Sequence, residues 1–137
     1  MKNLVTGTKI ILAKENELYR KYFSKFLESN GFEIIALAGS DEEVFELLKT
    51  NTPDILIYDL CLTSGGFEKT IRKILATSPS TKLILTGEFY SVLIENAMIL
   101  GANGFFDEDV TDLDLIIDSI KRISLGEVVV LTREKVA

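Results

Sequence analysis

The sequence predicts an α/β fold, a parallel sheet covered by helices on both faces. Three observations lead there. Short apolar runs rich in β-branched residues alternate with longer stretches whose apolar residues recur at helical spacing. The central run, Ile55-Leu56-Ile57-Tyr58, is apolar at every position, as a strand buried on both faces must be. The runs also end in polar residues, and Asp59 closes the central one. In open sheets of this kind the carboxyl ends of the strands carry the ligand-binding and chemical groups.

Taken in order, Lys9–Ala13 is the first strand, ending in Lys14-Glu15-Asn16. Glu17–Ser29 follows as an amphipathic helix with Leu18, Tyr22 and Phe26 on one stripe and Tyr19, Phe23 and Leu27 on the next. Asn16 is its expected cap and Asn30-Gly31 its stop. Tyr19, Tyr22 and Phe23 are expected in the core or at its edge. Residues 32–38 form the second strand. Ser40 and Glu43 make a capping box for a helix that buries Val44, Leu47 and Leu48. Pro53 precedes the central strand, and Cys61-Leu62-Thr63-Ser64-Gly65-Gly66 follows it as a turn. Phe67–Thr77 is the third helix, with Ile71, Ile74 and Leu75 inward, broken by Ser78-Pro79. Residues 82–86 make a fourth strand ending in the hydroxyl of Thr86. Ser91–Leu100 is a largely apolar fourth helix stopped by Gly101. Ile94 and Ile99 lie off its main stripe, and where exposed they would form an association patch. Residues 104–106 are a short fifth strand followed by Asp107-Glu108-Asp109. Thr111 with Asp114 opens a fifth helix that buries Ile116, Ile117, Ile120 and Ile123 and ends at Gly126. The alternation gives five strands and five helices. Residues 1–8 read as an extension, 9–125 as one domain, and 126–137 as a linker or tail.

Composition narrows the function. The 137 residues suit one domain and are 47% hydrophobic. No apolar run is long enough to cross a membrane, and the start lacks a signal-peptide core. The lone Cys61 forms no internal disulfide, so a cytoplasmic location is expected. The sequence has no histidine, which removes histidine acid–base chemistry and histidine metal ligands. A net charge of -6 argues against nucleic-acid binding by this segment. Gly65-Gly66 is turn punctuation, since no phosphate-loop glycine spacing is present.

Lys14, Glu15, Asp59, Thr86 and Glu108 therefore collect at strand ends. Around them the motifs I-L-I-Y-D-L, L-I-L-T and G-A-N-G-F-F resemble those of response-regulator receiver domains, the flavodoxin-like modules of two-component signalling. The resemblance covers about residues 9–125. It implies a (βα)5 doubly wound sheet in order 2-1-3-4-5. By position, Asp59 matches the phosphoacceptor, Thr86 the switch hydroxyl and Phe105 the aromatic switch. Glu15, Asp59 and the Cys61 backbone carbonyl match the Mg²⁺ ligands. The implied partners are a sensor histidine kinase and a second copy, bound through the face of the fourth helix, fifth strand and fifth helix. Residues 126–134 resemble the linker of LuxR/NarL-type regulators, which implies DNA binding through an output domain outside this segment.

Two positions depart from the family pattern. Lys14-Glu15 stands where two acids are usual, and Glu108 stands where a lysine is usual. Lysine and acid have exchanged corners while the local charge stays the same. The expectation is that the Lys14 ammonium reaches Asp59 and fills the metal's space, leaving Mg²⁺ binding weak or lost. Two mechanisms stay open: phosphorylation at Asp59, or a phosphorylation-independent receiver held by Lys14. An enzyme reading is disfavoured. A dehalogenase-like phosphatase would need an acid at position 61, and a flavin binder would need a Gly- and hydroxyl-rich loop after the first strand.

Overall fold

The computed structural model describes residues 7–63, 65–88 and 90–132. Its elements in order are β1 (Lys9–Ala13), α1 (Glu17–Ser29), β2 (Glu33–Ala38), α2 (Asp41–Thr50), β3 (Ile55–Asp59), α3 (Phe67–Thr77), β4 (Lys82–Gly87), α4 (Ser91–Leu100), β5 (Gly104–Asp107), α5 (Leu113–Ser124) and β6 (Val129–Leu131). The sheet is parallel throughout in the order β2-β1-β3-β4-β5-β6.

Strand alternation builds two cores. Ile10, Leu12, Ile55, Ile57, Ile84 and Phe106 face α1 and α5, with Phe23, Leu27, Ile116 and Ile120. Ile11, Leu56, Tyr58, Leu85 and Phe105 face the other way, with Val44, Ile71, Ile74, Ile94 and Ala97 from α2, α3 and α4. Period-two strands between period-3.6 helices produce this division. The caps at Asn16 and Ser40 form as expected: Asn16 Oδ1 accepts from the Tyr19 amide at 2.8 Å, and Ser40 Oγ from the Glu43 amide at 3.2 Å. Glu43 closes its box by accepting from the Gly39 amide.

The structure corrects four expectations. The sheet has a sixth strand: Val129, Val130 and Leu131 pair with Gly104, Phe105 and Phe106. An apolar, β-branched run placed directly after a helix has strand character, so the segment expected to be linker instead extends the sheet. Gly104 makes the approach possible, because a Cβ there would lie 3.3 Å from the Val129 carbonyl and 2.6 Å from Ile123 Cδ1. As a result β5 is not an edge, and the anticipated fourth-helix, fifth-strand, fifth-helix face presents β6 in its place.

The second correction is at α5, which is capped by Asp112 accepting from the Leu115 amide, not by Thr111. The third is on α1, where the Phe23–Leu27 stripe is buried and the other is not: Leu18 is 79% exposed and Tyr22 lies open. The last is on α4, where Ile94 is buried against the sheet, while Ile99 is 81% exposed and Val92 is also exposed. Among the described residues no helix is long and apolar enough to cross a membrane.

β3 is fully buried over its first four residues. Replacing Ile57 with Ala should cost about 2–5 kcal/mol through the cavity left behind. Urea unfolding measures it, and a loss under about 1 kcal/mol would contradict two-sided burial.

Candidate functional site

The carboxyl ends of β1, β3, β4 and β5 converge as expected on a cleft of about 260 Å³ lined by Lys14, Glu15, Asn16, Tyr19, Asp59, Cys61, Thr86 and Glu108, among others. Register fixes the neighbours, for Asp59 stands directly opposite Thr86 across β3 and β4. Asp59 also caps a 3-10 turn over Leu60–Leu62, accepting from the Cys61 amide at 3.1 Å. It is half-buried at the rim, and Thr86 is buried.

Lys14 lines the cleft just past the end of β1. Its backbone is pinned by its own amide, which donates to the Ala38 carbonyl at 3.0 Å, and by Arg20, whose guanidinium donates to the Lys14 carbonyl at 2.6 Å. The ammonium donates to Thr86 Oγ1 at 3.1 Å and sits 4.7 Å from the centroid of the Tyr19 ring. This corrects the expected contact, because the hydrogen bond goes to Thr86 and Asp59 acts on the ammonium only through space. Burial holds the Lys14 ammonium below its ordinary range, and the negative fields of Asp59 and then Glu108 oppose that shift.

The other groups answer to the same charges. Burial raises the Glu108 carboxyl, with Glu88, Asp109 and Asp59 adding to the shift and Lys14 opposing it. Asp59 raises the Cys61 thiol, followed by burial, so this exposed cysteine is no activated nucleophile. Burial raises the Tyr19 phenol, and Asp59 adds to it. Glu15 is exposed at the cleft mouth. Among the described residues no group of three or more Cys, Asp or Glu is placed to hold a metal ion. Phe105 is fully buried in the α2–α3–α4 core, opposite Leu85.

Two features escaped the sequence reading. Tyr19, assigned to the core or its edge, forms a wall of the cleft. The signal for it was position: the first turn of α1 rises from the same rim as Lys14. The second is behind β3, where the buried Tyr58 hydroxyl bonds to Asp41 and lies 3.3 Å from Thr63 Oγ1. Burial and the Asp41 hydrogen bond push that phenol well above its ordinary value. Strand parity sends Tyr58 to the opposite face from Ile57, so only the tertiary fold brings Asp41 to it.

Comparison with known proteins agrees with this architecture. The family model of the response regulator receiver domain matches residues 10–121. The transcriptional regulatory protein LnrK of Bacillus subtilis is 30% identical over 124 residues, covering 88% of this chain and 56% of LnrK. A nitrate/nitrite response regulator protein homolog of Haemophilus influenzae is 28% identical over 123 residues, covering 88% of this chain and 59% of its own length. The chain thus spans little more than half of these relatives. Among solved structures, a LuxR-family two-component response regulator from Aurantimonas sp. SI85-9A1 superposes with a TM-score of 0.80 at 22% identity, covering 90% of this chain and 89% of its own, a likeness of fold. With the family model spanning most of the chain and the strand-end groups gathered at the rim that the family uses, the protein belongs to the response regulator receiver-domain family.

Proposed function

We propose that this chain is the receiver module of a two-component transcription regulator, and that its own lysine fills the pocket and holds the switch hydroxyl without phosphoryl transfer. The observation that carries this reading is the bond from Lys14 Nζ to Thr86 Oγ1. In the family this hydroxyl moves toward an acyl phosphate; here an internal cation already engages it. The transcriptional role rests on the names of the relatives, whose remaining length would supply the output domain. A sensor histidine kinase or another protein is the expected partner.

Magnesium does not fit the residues present. It requires near-octahedral oxygen ligands at about 2.0–2.1 Å. Lys14 places an ammonium on Thr86, within the fields of Asp59 and Glu108, where it repels a dication and takes up space. Glu108, at the position of the usual lysine, would repel a phosphoryl group. The second reading keeps Asp59 as a phosphoacceptor with weak metal binding. What favours it is that Asp59 stays half-buried and reachable at the rim.

Melting decides between the two. A ligand at about ten times its Kd stabilises a fold by roughly 1.4 kcal/mol, or about 3–6 °C for a domain of this size. The wild-type protein should show almost none of this shift with Mg²⁺. Lys14→Asp combined with Glu108→Lys restores the family arrangement at unchanged charge, and it should gain both the shift and phosphorylation by a small phosphodonor, read by mass spectrometry. Lys14→Asp alone should melt lower without metal, through like-charge repulsion, and recover part of the loss with Mg²⁺. A wild-type shift of several degrees with Mg²⁺, absent at equal ionic strength in NaCl, would overturn the lysine-filled pocket in favour of phosphorylation.

The pH dependence has a definite sign. Lys14 is held below its ordinary 10.5, so between its folded value and 10.5 the unfolded chain binds more protons. Its contribution to stability therefore rises with pH across that window. Lys14→Met titrates nothing at this position, and the difference in stability between wild type and variant should climb over the same range. A falling difference would mean that attraction to Asp59 outweighs burial.

A further inference from the structure

Lys14 leaves β1 with its backbone held on both sides. Its amide donates to the carbonyl of Ala38, the last residue of β2, at 3.0 Å. Its carbonyl accepts from Nη1 of Arg20 at 2.6 Å. A planar peptide leaves only two soft dihedrals per residue, so fixing the groups on either side of a Cα fixes the direction in which its side chain sets out. A hydrogen bond from a charged donor is also stronger than one between neutral groups. Arg20 is itself anchored, for its amide donates to the Asn16 carbonyl at 2.9 Å, and Asn16 Oδ1 accepts from the Tyr19 amide at 2.8 Å. Adjacent residues in the first turn of α1 thus supply the ring beneath the Lys14 ammonium and the clamp on the Lys14 carbonyl.

Room for the clamp comes from the turn after β2. A Cβ at Gly39 would lie 2.7 Å from Arg20 Nη1, the same atom that bonds the Lys14 carbonyl, and 3.4 Å from Cζ. Gly39 is not among the glycines with positive φ, so the position uses the missing side chain and not the backbone freedom of glycine. Among the described residues Arg20 takes part in no ion pair, and its guanidinium is directed to a backbone carbonyl instead. We infer that Arg20, seated in the space left by Gly39, is the positioning residue that sends Lys14 into the pocket, onto Thr86 and Tyr19. This rests on the lysine-filled pocket proposed above. It makes the turn after β2, which lies across β1 from Asp59, part of what sets that pocket.

Two variants test it, read by the NOE between the Lys14 Hε protons and the Tyr19 ring. Wild type should show this NOE. Gly39→Ala puts a methyl where Nη1 sits, and the far end of an arginine gives way readily, so the protein should melt close to wild type while the NOE is lost. Arg20→Met keeps the stem, removes the donor and should lose it too. Losing a bond from a charged donor shifts a local equilibrium by about tenfold or more, so reductive methylation of the Lys14 amine, followed by peptide mass spectrometry, should run about three- to tenfold faster in both variants. The Tyr19 and Phe23 rings, 5.7 Å apart, should keep their mutual NOE and show that α1 is in place. If wild type lacks the Lys14–Tyr19 NOE, the lysine-filled pocket fails and this inference with it. If wild type shows it and Arg20→Met keeps it with unchanged labelling, the inference alone is overturned and Arg20 only braces α1. Loss of both NOEs together overturns it as well, since the helix has then moved. Retention in Gly39→Ala alone removes Gly39 from the inference, and if Arg20→Met does not fold, Gly39→Ala decides.

Discussion

Because Ile55 and Ile57 point to one side of β3 while Leu56 and Tyr58 point to the other, all four fully buried, the strand can exist only with helices against both faces. At about 1.5–3 kcal/mol for each large apolar side chain, these four residues contribute roughly 6–12 kcal/mol of gross burial. That is comparable with the whole net stability of a domain, about 5–15 kcal/mol. Two-sided burial in turn requires parallel neighbours and right-handed crossovers, which bring every strand's carboxyl end to one rim. Asp59, Thr86, Lys14 and Glu108 are neighbours because the middle of the sheet has no other way to leave water. The site is a consequence of the core.

At that rim the decisive competition is between burial and attraction. The Lys14 ammonium is pulled by Asp59 and Glu108, yet the net effect of its surroundings is to disfavour the charge. Its directional contacts are a hydroxyl acceptor on β4 and the face of Tyr19. A cation over an aromatic ring contributes about 0.5–2 kcal/mol depending on solvation. These contacts orient the side chain more than they stabilise the fold. The Lys14 ammonium thereby rests on Thr86, at the carboxyl end of β4.

The fold was legible in the sequence where a residue's own pattern determined its environment. The alternating and continuous apolar runs gave the strands, and Asn16 and Ser40 marked helix starts by their side-chain chemistry alone. Asp59 and Thr86 were legible as strand ends. The misses came where tertiary contact chose between equivalent local readings. Leu18 and Tyr22 repeat at helical spacing as well as Phe23 and Leu27 do, and nothing in α1 alone says which stripe meets the sheet. Ile94 and Ile99 pose the same problem on α4. Thr111 and Asp112 are both competent caps. Val129 to Leu131 had strand character, but only Gly104 on β5 makes room for a neighbour there. For Lys14, charge gave the correct cleft, while the choice of Thr86 over Asp59 depends on side-chain reach and on the Tyr19 ring.

The sixth strand also changes how the pocket relates to the rest of the sheet. One row of register partners runs Asp59, Thr86, Phe106, Leu131, and the next runs Tyr58, Leu85, Phe105, Val130. Three strand spacings, about 14 Å, separate Asp59 from the edge. A ladder of this kind is rigid, and a rigid element transmits no signal without two discrete arrangements. In a receiver those belong to the hydroxyl on β4 and the aromatic on β5. Lys14 holds Thr86 from the pocket side, and β6 lies along β5 with Val130 beside the fully buried Phe105. Withdrawing a buried phenylalanine ring leaves a cavity of the kind that costs about 3–5 kcal/mol, and β6 closes the edge that could otherwise relax around it. The lysine and the extra strand thus bear on the two ends of the same rows of residues.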